Sequence, residues 1–439
     1  MPNALLLPLL TEKDPRESAE GGLDPLGLYS ISDALAVKLV PGVRERQAHP
    51  RFLTSMAVSL AVCEGLDEQV ASDDASTPRL VFEWYLVEGM VRAARNREDT
   101  AGVPGSLKAR TAKEESMPLS ARNYLKTPGV FGFHGIYRLL ARSLGIEQDD
   151  RLGEAGFELL RVWEREQGLD GFSSAGGSGP GAVWRRRLRD AVEGGLAKAA
   201  TARPAAWAGW GFFQTHLNIR QSGEREARFI ADRLRTDVGG HRGDVLRFLS
   251  SKEGWQLWKS HADERTFHEG LRRLASPDLV LLLDAIAAYE SFARLCHDAF
   301  DAVLVELTRN GSKTSASTLV ALPAVMLAAR RAPVVFETAL GKLEPFDLTA
   351  RFTENFASLA ERCSAGEWLQ RLDEHHRRIQ RSKPPDPKNA WFERFDDGSL
   401  IIRPLYQREA GEDNQRRYVH AYRTASLALF AKDIHLVSA

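Results

Sequence analysis

The feature that most constrains the fold is an amphipathic stripe between residues 277 and 307. Apolar side chains recur there at spacings of three and four residues, the period of an α-helix with one buried face. The stripe consists of Leu279, Leu282, Leu283, Ile286, Tyr289, Phe292 and Leu295. Because a helix with such a wide apolar face must bury it against other elements, the stripe predicts a central core helix.

The same period recurs along most of the chain. It predicts two helices within residues 33–64, joined by a loop that carries basic residues, and a third helix over 77–97. Residues 99–116 are polar and rich in glycine, a composition typical of a loop. Successive helices are predicted again over 184–381. The expected fold class is therefore mainly α and multi-helical.

A winged-helix unit is one interpretation of residues 117–168. The pattern predicts helices over 119–125 and 136–144, a short polar β-turn over 148–152, and a helix over 154–166. Helix, helix, wing and helix is the order of a winged helix. A plain helical bundle with a polar loop explains the same pattern, so both interpretations stay open.

Composition shifts divide the chain into four ranges. An N-terminal helical region with the candidate winged-helix unit spans 1–172, and a flexible Gly/Ser-rich loop spans 173–181. A helical domain spans 182–382, and a C-terminal module with a β-hairpin and a helix spans 383–439. That module begins with a proline-rich linker. Its hairpin is predicted around the turn Asp396-Asp397-Gly398, and its closing helix over residues 418–433.

Charge and hydropathy restrict the class of protein. The chain carries 59 basic and 59 acidic side chains, so it has no global field that attracts nucleic acid, and any such contact has to be local. No apolar run approaches the roughly 20 residues that cross a bilayer, and the N-terminus does not read as a signal peptide. We expect a cytoplasmic protein without membrane association.

Motifs for catalysis or metal binding are missing from the sequence. Cys63, Cys296 and Cys363 lie far apart, which argues against a disulfide framework and a zinc site. Neither a GxSxG elbow nor a phosphate-binding loop of the usual spacing is present. We therefore expect no cofactor and no metal, and we lean against an enzyme. A divergent metal-dependent nuclease stays open, with Asp396, Asp397 and Glu412 as weak candidate ligands.

Local arginine clusters are the candidate binding residues, because guanidinium groups clamp phosphates. The clusters lie in the first interhelical loop, on the candidate winged-helix unit and at the start of the helix after the Gly/Ser-rich loop. The candidate nucleic-acid-binding residues are Arg44, Arg46, Arg51, Arg138, Arg142, Arg185, Arg186, Arg187 and Arg189, and Arg151 is a further candidate on the wing. A solvated helix face with paired charges is the alternative explanation for these residues, and for the cluster that begins at Arg185 it is the favoured one.

Several short blocks resemble a known family. They are Leu39-Val40-Pro41-Gly42-Val43, Arg46-Gln47, Pro50-Arg51-Phe52-Leu53, Gly102-Val103-Pro104-Gly105, Met117 to Tyr124, and Gly132-Phe133-His134-Gly135-Ile136-Tyr137. The blocks cover about the first third of the chain. They resemble a family of uncharacterised bacterial proteins, a domain of unknown function, that is associated with anti-phage defence islands. The resemblance implies a role beside DNA methyltransferases, helicases or ATPases, and it supplies no functional residue.

These observations lead to one main hypothesis and two alternatives. The main hypothesis is a non-enzymatic, DNA-associated adaptor or sensor in a multi-protein anti-phage defence system, with duplex DNA and a helicase, methyltransferase or ATPase as partners. The first alternative is a protein-binding scaffold that does not touch DNA, which the neutral net charge favours. The second is the divergent nuclease.

Overall fold

The computed structural model describes residues 24–66, 69, 71–174, 176–236, 239–311, 313–383, 387–411 and 417–438. Residues 1–23 and Glu412 lie outside these residues. The mainly helical fold class is confirmed, since helices make up most of the described residues and the strands form only two small hairpins. No helix in this part of the chain is long and apolar enough to span a membrane.

The helices and strands of the first part of the chain are α1 (Tyr29–Leu39), α2 (Phe52–Cys63), α3 (Pro78–Ala93), α4 (Ser106–Glu114), α5 (Pro128–Phe131), α6 (Phe133–Ser143), β1 (Glu147–Gln148), β2 (Arg151–Leu152), α7 (Glu154–Glu166), α8 (Pro180–Lys198), α9 (Gly209–His216), α10 (Glu224–Arg235), α11 (Arg242–Leu249) and α12 (Lys252–His261). The later elements are α13 (Glu264–Arg272), α14 (Pro277–Asn310), α15 (Ala316–Val320), α16 (Pro323–Leu343), α17 (Thr349–Ala360), α18 (Ala365–Arg381), β3 (Phe392–Arg394), β4 (Leu400–Ile402) and α19 (Thr424–Asp433).

The chain divides into two compact units. Unit 1 contains residues up to Leu35 together with Asp263–His420, and unit 2 contains Ala36–Ala262 together with the residues from Ala421 onward. Neither unit is one continuous stretch. The four ranges derived from composition stay a prediction, because composition along the chain carries no information about which distant segments pack together.

Unit 1 is organised around α14, the predicted core helix. Ser276 caps its first turn and Pro277 occupies the first helical position, where a missing N–H costs nothing. The predicted stripe is buried except for Leu295, which is half-buried. Phe292 of this helix packs edge-on against Phe336 of α16 and Phe352 of α17, with ring centroids 5.7 and 5.2 Å apart. The core of unit 1 is thus an aromatic cluster on the face that the sequence predicts.

The predicted C-terminal hairpin is present in unit 1. β3 and β4 pair antiparallel with Phe392 opposite Ile402 and Arg394 opposite Leu400. Gly398 closes the turn with φ of 76°, a left-handed conformation that glycine adopts without steric cost. The Asp396-Asp397-Gly398 sequence therefore forms the hairpin turn that it predicts.

Unit 2 is built around α2, which is buried along its whole length. The helix packs against α3, α6, α7 and α8. Every residue of α2 is apolar or a small hydroxyl residue, so no side is marked out for solvent. This composition explains how one 12-residue helix forms the centre of the unit.

The predicted helix over 119–125 is wrong. The backbone of Leu119 and Ser120 pairs instead with residues 200 and 201, since Thr201 N donates to Leu119 O over 2.9 Å and Ser120 forms a bridge with Ala200. This pairing with a distant segment occupies backbone N–H and C=O groups that would otherwise form the hydrogen bonds of a helix. The hairpin β1–β2 and helices α6 and α7 lie where the other parts of the winged-helix pattern were expected. The assignment as a winged helix stays a prediction.

Two further boundaries differ from those predicted. Residues 99–116 contain α4, which buries only Ala109 and Ala112 and therefore has too weak an apolar period to be recognised. The closing helix begins at Thr424 rather than at residue 418, because Arg423 adopts a left-handed backbone with φ of 72° that a helix cannot contain. Its guanidinium is buried and donates to Val43 O.

Candidate functional site

The β1–β2 hairpin of unit 2 organises a network of charged side chains. Its turn residues Asp149 and Asp150 both have left-handed backbones, with φ of 48° and 62°. This geometry matches the twist of a two-residue hairpin, and Asp and Asn tolerate it better than most residues. The turn presents the Asp150 carboxylate to the neighbouring helices.

Three guanidinium groups surround that carboxylate. The terminal nitrogens of Arg79 and Arg142 lie 3.3 and 3.2 Å from Asp150 Oδ1, and Arg138 contacts the same oxygen. Burial by itself raises the pKa of Asp150, but the charges of Arg79 and Arg138 outweigh burial and lower the pKa. Glu147, which is buried, accepts from Nε of Arg138 and of Arg142 over 3.2 Å each. Two carboxylates thus hold three guanidiniums in one network.

A cavity of about 610 Å³ lies on one side of the hairpin. The charged and polar residues that line it are Glu64, Arg79, Asp150, Arg151, Ser173 and Arg185. Arg185 is only 8% exposed and donates to the carbonyls of Phe172 and Ser173 over 3.2 and 3.3 Å. These bonds fix the beginning of the Gly/Ser-rich segment at the edge of the cavity. Its Nη2 also lies 2.6 Å from Glu64 Oε2.

A second cavity, of about 440 Å³, shares Arg79 and Asp150 with the first. Glu83, His134 and Arg138 are among the residues that line it. The two cavities therefore adjoin at the hairpin. Together they bring Arg138 and Arg185, which are about fifty positions apart along the chain, to neighbouring walls of unit 2.

A hydrogen-bonded relay runs from the second cavity into the core. His134 Nδ1 lies 3.0 Å from Glu83 Oε2, His134 Nε2 lies 3.0 Å from Ser59 Oγ, and Tyr124 donates its hydroxyl to Glu83 Oε1 over 2.8 Å. A serine, a histidine and a carboxylate in this order resemble a hydrolase triad. Ser59 has no exposed surface, so its hydroxyl does not meet a substrate in this conformation. The relay instead satisfies the buried carboxylate of Glu83.

Two of the arginines predicted from the first interhelical loop have contacts within unit 2. Arg51 is 1% exposed, and its Nε and Nη2 donate to the Glu226 carboxylate over 3.0 and 3.1 Å. It joins the start of α2 to α10 and does not reach solvent. Arg46 is exposed and stacks on the ring of Phe131 at 4.4 Å. Arg44 is half-buried, and none of the three lines either cavity.

The α8 arginines point in different directions. Arg185 faces the first cavity, whereas Arg186 and Arg187 are exposed, and Arg187 lies over the ring of Trp184 at 5.1 Å. Arg189 donates to the Glu64 carbonyl over 2.5 Å and lies 3.2 Å from Glu193. Because these four arginines lie on different sides of the helix, only Arg185 lines the first cavity.

Sequence reasoning did not single out Arg79, although it belongs to both cavities. Arg79 follows Pro78 in the first turn of α3. A cation is unfavourable there because the helix macrodipole places partial positive charge at the N-terminus. A basic residue in the first turn is therefore the signal that could have found it.

The residues proposed for a nuclease do not form a metal site within the described chain. No group of three or more His, Cys, Asp or Glu residues there could hold a metal ion. Asp397 instead lies 2.7 Å from Lys313 Nζ and accepts from the Ser399 hydroxyl, and these hydrogen bonds hold its pKa below the usual value. The third candidate, Glu412, lies outside the described residues.

Comparison with known proteins finds no family model, no curated protein and no solved structure that matches this chain.

Proposed function

We propose that the protein is a non-enzymatic, DNA-associated adaptor or sensor of a multi-protein bacterial defence assembly, and that it contacts the phosphate backbone of a duplex at the β1–β2 hairpin. The observation that carries the proposal is the convergence of Arg79, Arg138, Arg151 and Arg185 on the two adjoining cavities. Phosphate contacts of this kind position a protein on DNA without reading its sequence. The blocks that resemble the defence-associated family support the assembly part of the proposal.

The exposure of the charged groups supports an exchange of partners at the hairpin. The side chains of Arg138 and Arg142 are each 43% exposed, and that of their partner Asp150 is 48% exposed. The side chain of Arg151, whose backbone pairs with Gln148, is exposed and forms no ion pair among the described residues. A phosphate group carries the same charge as a carboxylate and accepts the same bidentate hydrogen bonds, so it competes with Asp150 for these guanidiniums.

The test measures binding of the purified protein to a labelled 30-base-pair duplex between about 50 and 200 mM salt. The variant Arg79→Ala/Arg138→Ala/Arg151→Ala is expected to weaken binding and to flatten the salt slope by about one unit per lost contact. The matched control is Arg330→Ala/Arg331→Ala, which removes two exposed arginines of α16 in unit 1. This control should leave the duplex affinity unchanged.

A variant with the opposite expected sign makes the test sharper. Asp150→Asn removes the anion that occupies the guanidiniums, so duplex binding should become tighter and more dependent on salt. Failure of the wild-type protein to bind duplex at about 50 mM salt would contradict the proposal. Equal duplex affinity of the wild type, the triple arginine variant and Asp150→Asn would contradict it as well.

A second candidate function is a protein-binding scaffold that does not touch DNA. The specific observation in its favour is the neutralisation of the arginines by Glu64, Glu147 and Asp150. The scaffold would be favoured if the protein has no affinity for duplex DNA at any salt concentration tested. It should still bind a helicase, methyltransferase or ATPase of the same assembly.

A further inference from the structure

Unit 1 contains a cavity that the proposed function does not use. Its volume is about 620 Å³, within the range of about 300 to 1,000 Å³ that is typical of small-molecule sites. One face of α14 forms a wall, and α13, the beginning of α16 and the Arg417-Tyr418 pair complete the lining. All of these residues belong to unit 1.

Part of the wall formed by α14 carries small side chains. Ala287, Ser291 and Ala302 line the cavity with small side chains, and Ala287 and Ser291 are exposed. The beginning of α16 contributes Leu322 and Leu327, and Leu327 is 39% exposed. Exposed leucines beside small residues leave room for an apolar body and gain free energy when such a body covers them.

The polar groups of the cavity favour an anion. Arg294 donates through Nη1 to Asp298 over 3.2 Å and through Nη2 to the carbonyl of Arg417 over 2.8 Å. Its Nε is buried and lacks a hydrogen-bond acceptor among the described residues. A buried donor without an acceptor costs about 1 to 3 kcal/mol, so it indicates a site for a missing partner.

The charge balance agrees with that preference. The acidic groups that line the cavity already accept hydrogen bonds or ion pairs. Asp298 binds Arg294, and Glu269 lies 3.1 Å from Arg265. Glu290 accepts from the backbone N–H of Val419 and lies 2.7 Å from the ring of His420. Arg417 is exposed, and its guanidinium has no partner within the described part of the chain. Within the described residues, the guanidinium of Arg417 is therefore available to an anionic ligand at the cavity.

We propose that this cavity binds an amphipathic organic anion: a carboxylate, sulfonate or phosphate head beside Arg294 and Arg417, with an apolar body along Ala287 and Leu327. The site is separate from the hairpin of unit 2 and does not depend on DNA binding. A small molecule bound here would give the protein a sensing function of its own.

The experiment uses the full-length protein and the fluorescent anion 1-anilinonaphthalene-8-sulfonate, which brightens when it leaves water. We expect saturable binding of one probe per chain, and displacement by decanoate but much less by decanol, which has the same apolar body without the charge. Ala287→Trp fills the cavity from an exposed helix position and should reduce probe affinity about tenfold or more. Ala350→Trp, at an exposed position of α17 outside the cavity, is the matched control.

Two charge variants test the head group. Arg294→Gln and Arg417→Ala should each weaken decanoate about tenfold, the size expected when a charged hydrogen bond is lost, and should leave decanol unchanged. Arg417 is exposed, so its removal leaves the fold intact. Absence of saturable binding, equal competition by decanol and decanoate, or equal affinity in Ala287→Trp and Ala350→Trp would overturn the proposal.

Discussion

The two consecutive histidines of α18 show how much of a residue's chemistry depends on its contacts. His375 Nε2 lies 2.8 Å from Leu26 O, and its Nδ1 lies 3.1 Å from a guanidinium nitrogen of Arg378. His376 Nδ1 lies 2.8 Å from Pro25 O, and its Nε2 accepts from Trp391 N over 3.0 Å. Each ring donates on one side and accepts on the other, which only the neutral imidazole can do. Both side chains are buried, and in unit 1 they connect α18 to the backbone of neighbouring segments.

Acid should therefore destabilise unit 1. Burial lowers the pKa of His375 to about 4 and that of His376 to about 3, whereas both titrate near 6.5 in the unfolded chain. The unfolded state binds more protons below pH 6.5, so stability is complete above this pH and is lost as the pH falls. We expect a loss of about 2 kcal/mol for each histidine at pH 5, measured by urea unfolding at pH 7 and pH 5.

A variant separates the histidines from other acid-sensitive groups. Burial raises the pKa of Asp373 on the same helix. The folded state therefore binds a proton there more readily than the unfolded state, so this group stabilises the fold as the pH falls, whereas the two histidines destabilise it. His376→Gln keeps a donor and an acceptor but does not titrate, so it should remove about half of the pH-dependent loss. An unchanged pH dependence in His376→Gln would refute this explanation.

The motif residues of the first third also have local structural roles. Gly105 has φ of 77°, and a Cβ at this position would lie 2.4 Å from the hydroxyl of Tyr124. The hydroxyl of Tyr137 accepts from the backbone N–H groups of Ala48 and His49 over 2.9 Å each. Blocks that are far apart in the sequence therefore hold one another in place, which agrees with their lack of a catalytic signature.

At the scale of single elements, two adjacent glycines of α8 have very different packing environments. Gly194 and Gly195 are neighbours in this helix and neither has a positive φ. A Cβ on Gly194 would meet nothing within 4 Å, whereas a Cβ on Gly195 would lie 2.5 Å from Val81 and 3.2 Å from the ring of Tyr85. The close approach of α8 to α3 thus depends on Gly195 alone of the two.

The two Gly→Ala substitutions should have opposite effects on stability. Gly194→Ala is expected to stabilise the protein by about 0.5 to 1 kcal/mol, because alanine restricts the unfolded chain and favours the helix. Gly195→Ala should destabilise it by about 1 to 3 kcal/mol through overpacking against α3. Urea unfolding of both variants at one pH provides the comparison. A stabilising Gly195→Ala would show that α3 and α8 can separate without cost.

Element boundaries were predictable where the signal was local. Ser276 with Pro277 marks the start of α14, and Thr77 with Pro78 marks the start of α3, where the Thr77 side chain accepts from Leu80 N over 3.3 Å. The pairing of Ser120 with Ala200 has no local signal, and so the predicted helix there is wrong. Local chemistry predicts an element well until a distant segment competes for its backbone groups.

At the scale of the whole molecule, the end of the chain belongs to the core of unit 2. Phe430 of α19 is fully buried and its ring lies 6.5 Å from that of Tyr137. The Ser426 hydroxyl donates to Arg44 O over 3.0 Å, and His49 Nδ1 lies 2.6 Å from Asp433. The last helix therefore completes a unit whose other elements precede residue 263.

Neighbouring residues of α19 test this arrangement. Phe430→Ala should destabilise unit 2 by about 3 to 5 kcal/mol, the usual cost of removing a buried aromatic ring. Leu429 is 46% exposed, so Leu429→Ala should change stability by no more than about 0.5 kcal/mol. The measurement is the urea unfolding midpoint of each variant. Equal midpoints for Phe430→Ala and Leu429→Ala would show that α19 does not contribute to the core of unit 2.

The sequence alone was sufficient for the helical class, the long core helix and the C-terminal hairpin, because periodicity, caps and turns are local properties of the chain. It also offered Arg138, Arg142 and Arg185 as candidate binding residues, but in separate clusters, with nothing to indicate that the segments carrying Arg138 and Arg185 would adjoin. Only the tertiary structure decided which arginines are available. Arg51 meets Glu226, 175 positions away, and Asp150 gathers Arg79 with Arg138. Ion pairs and cavities arise from contacts between distant segments, and such contacts leave no periodic signal in the sequence.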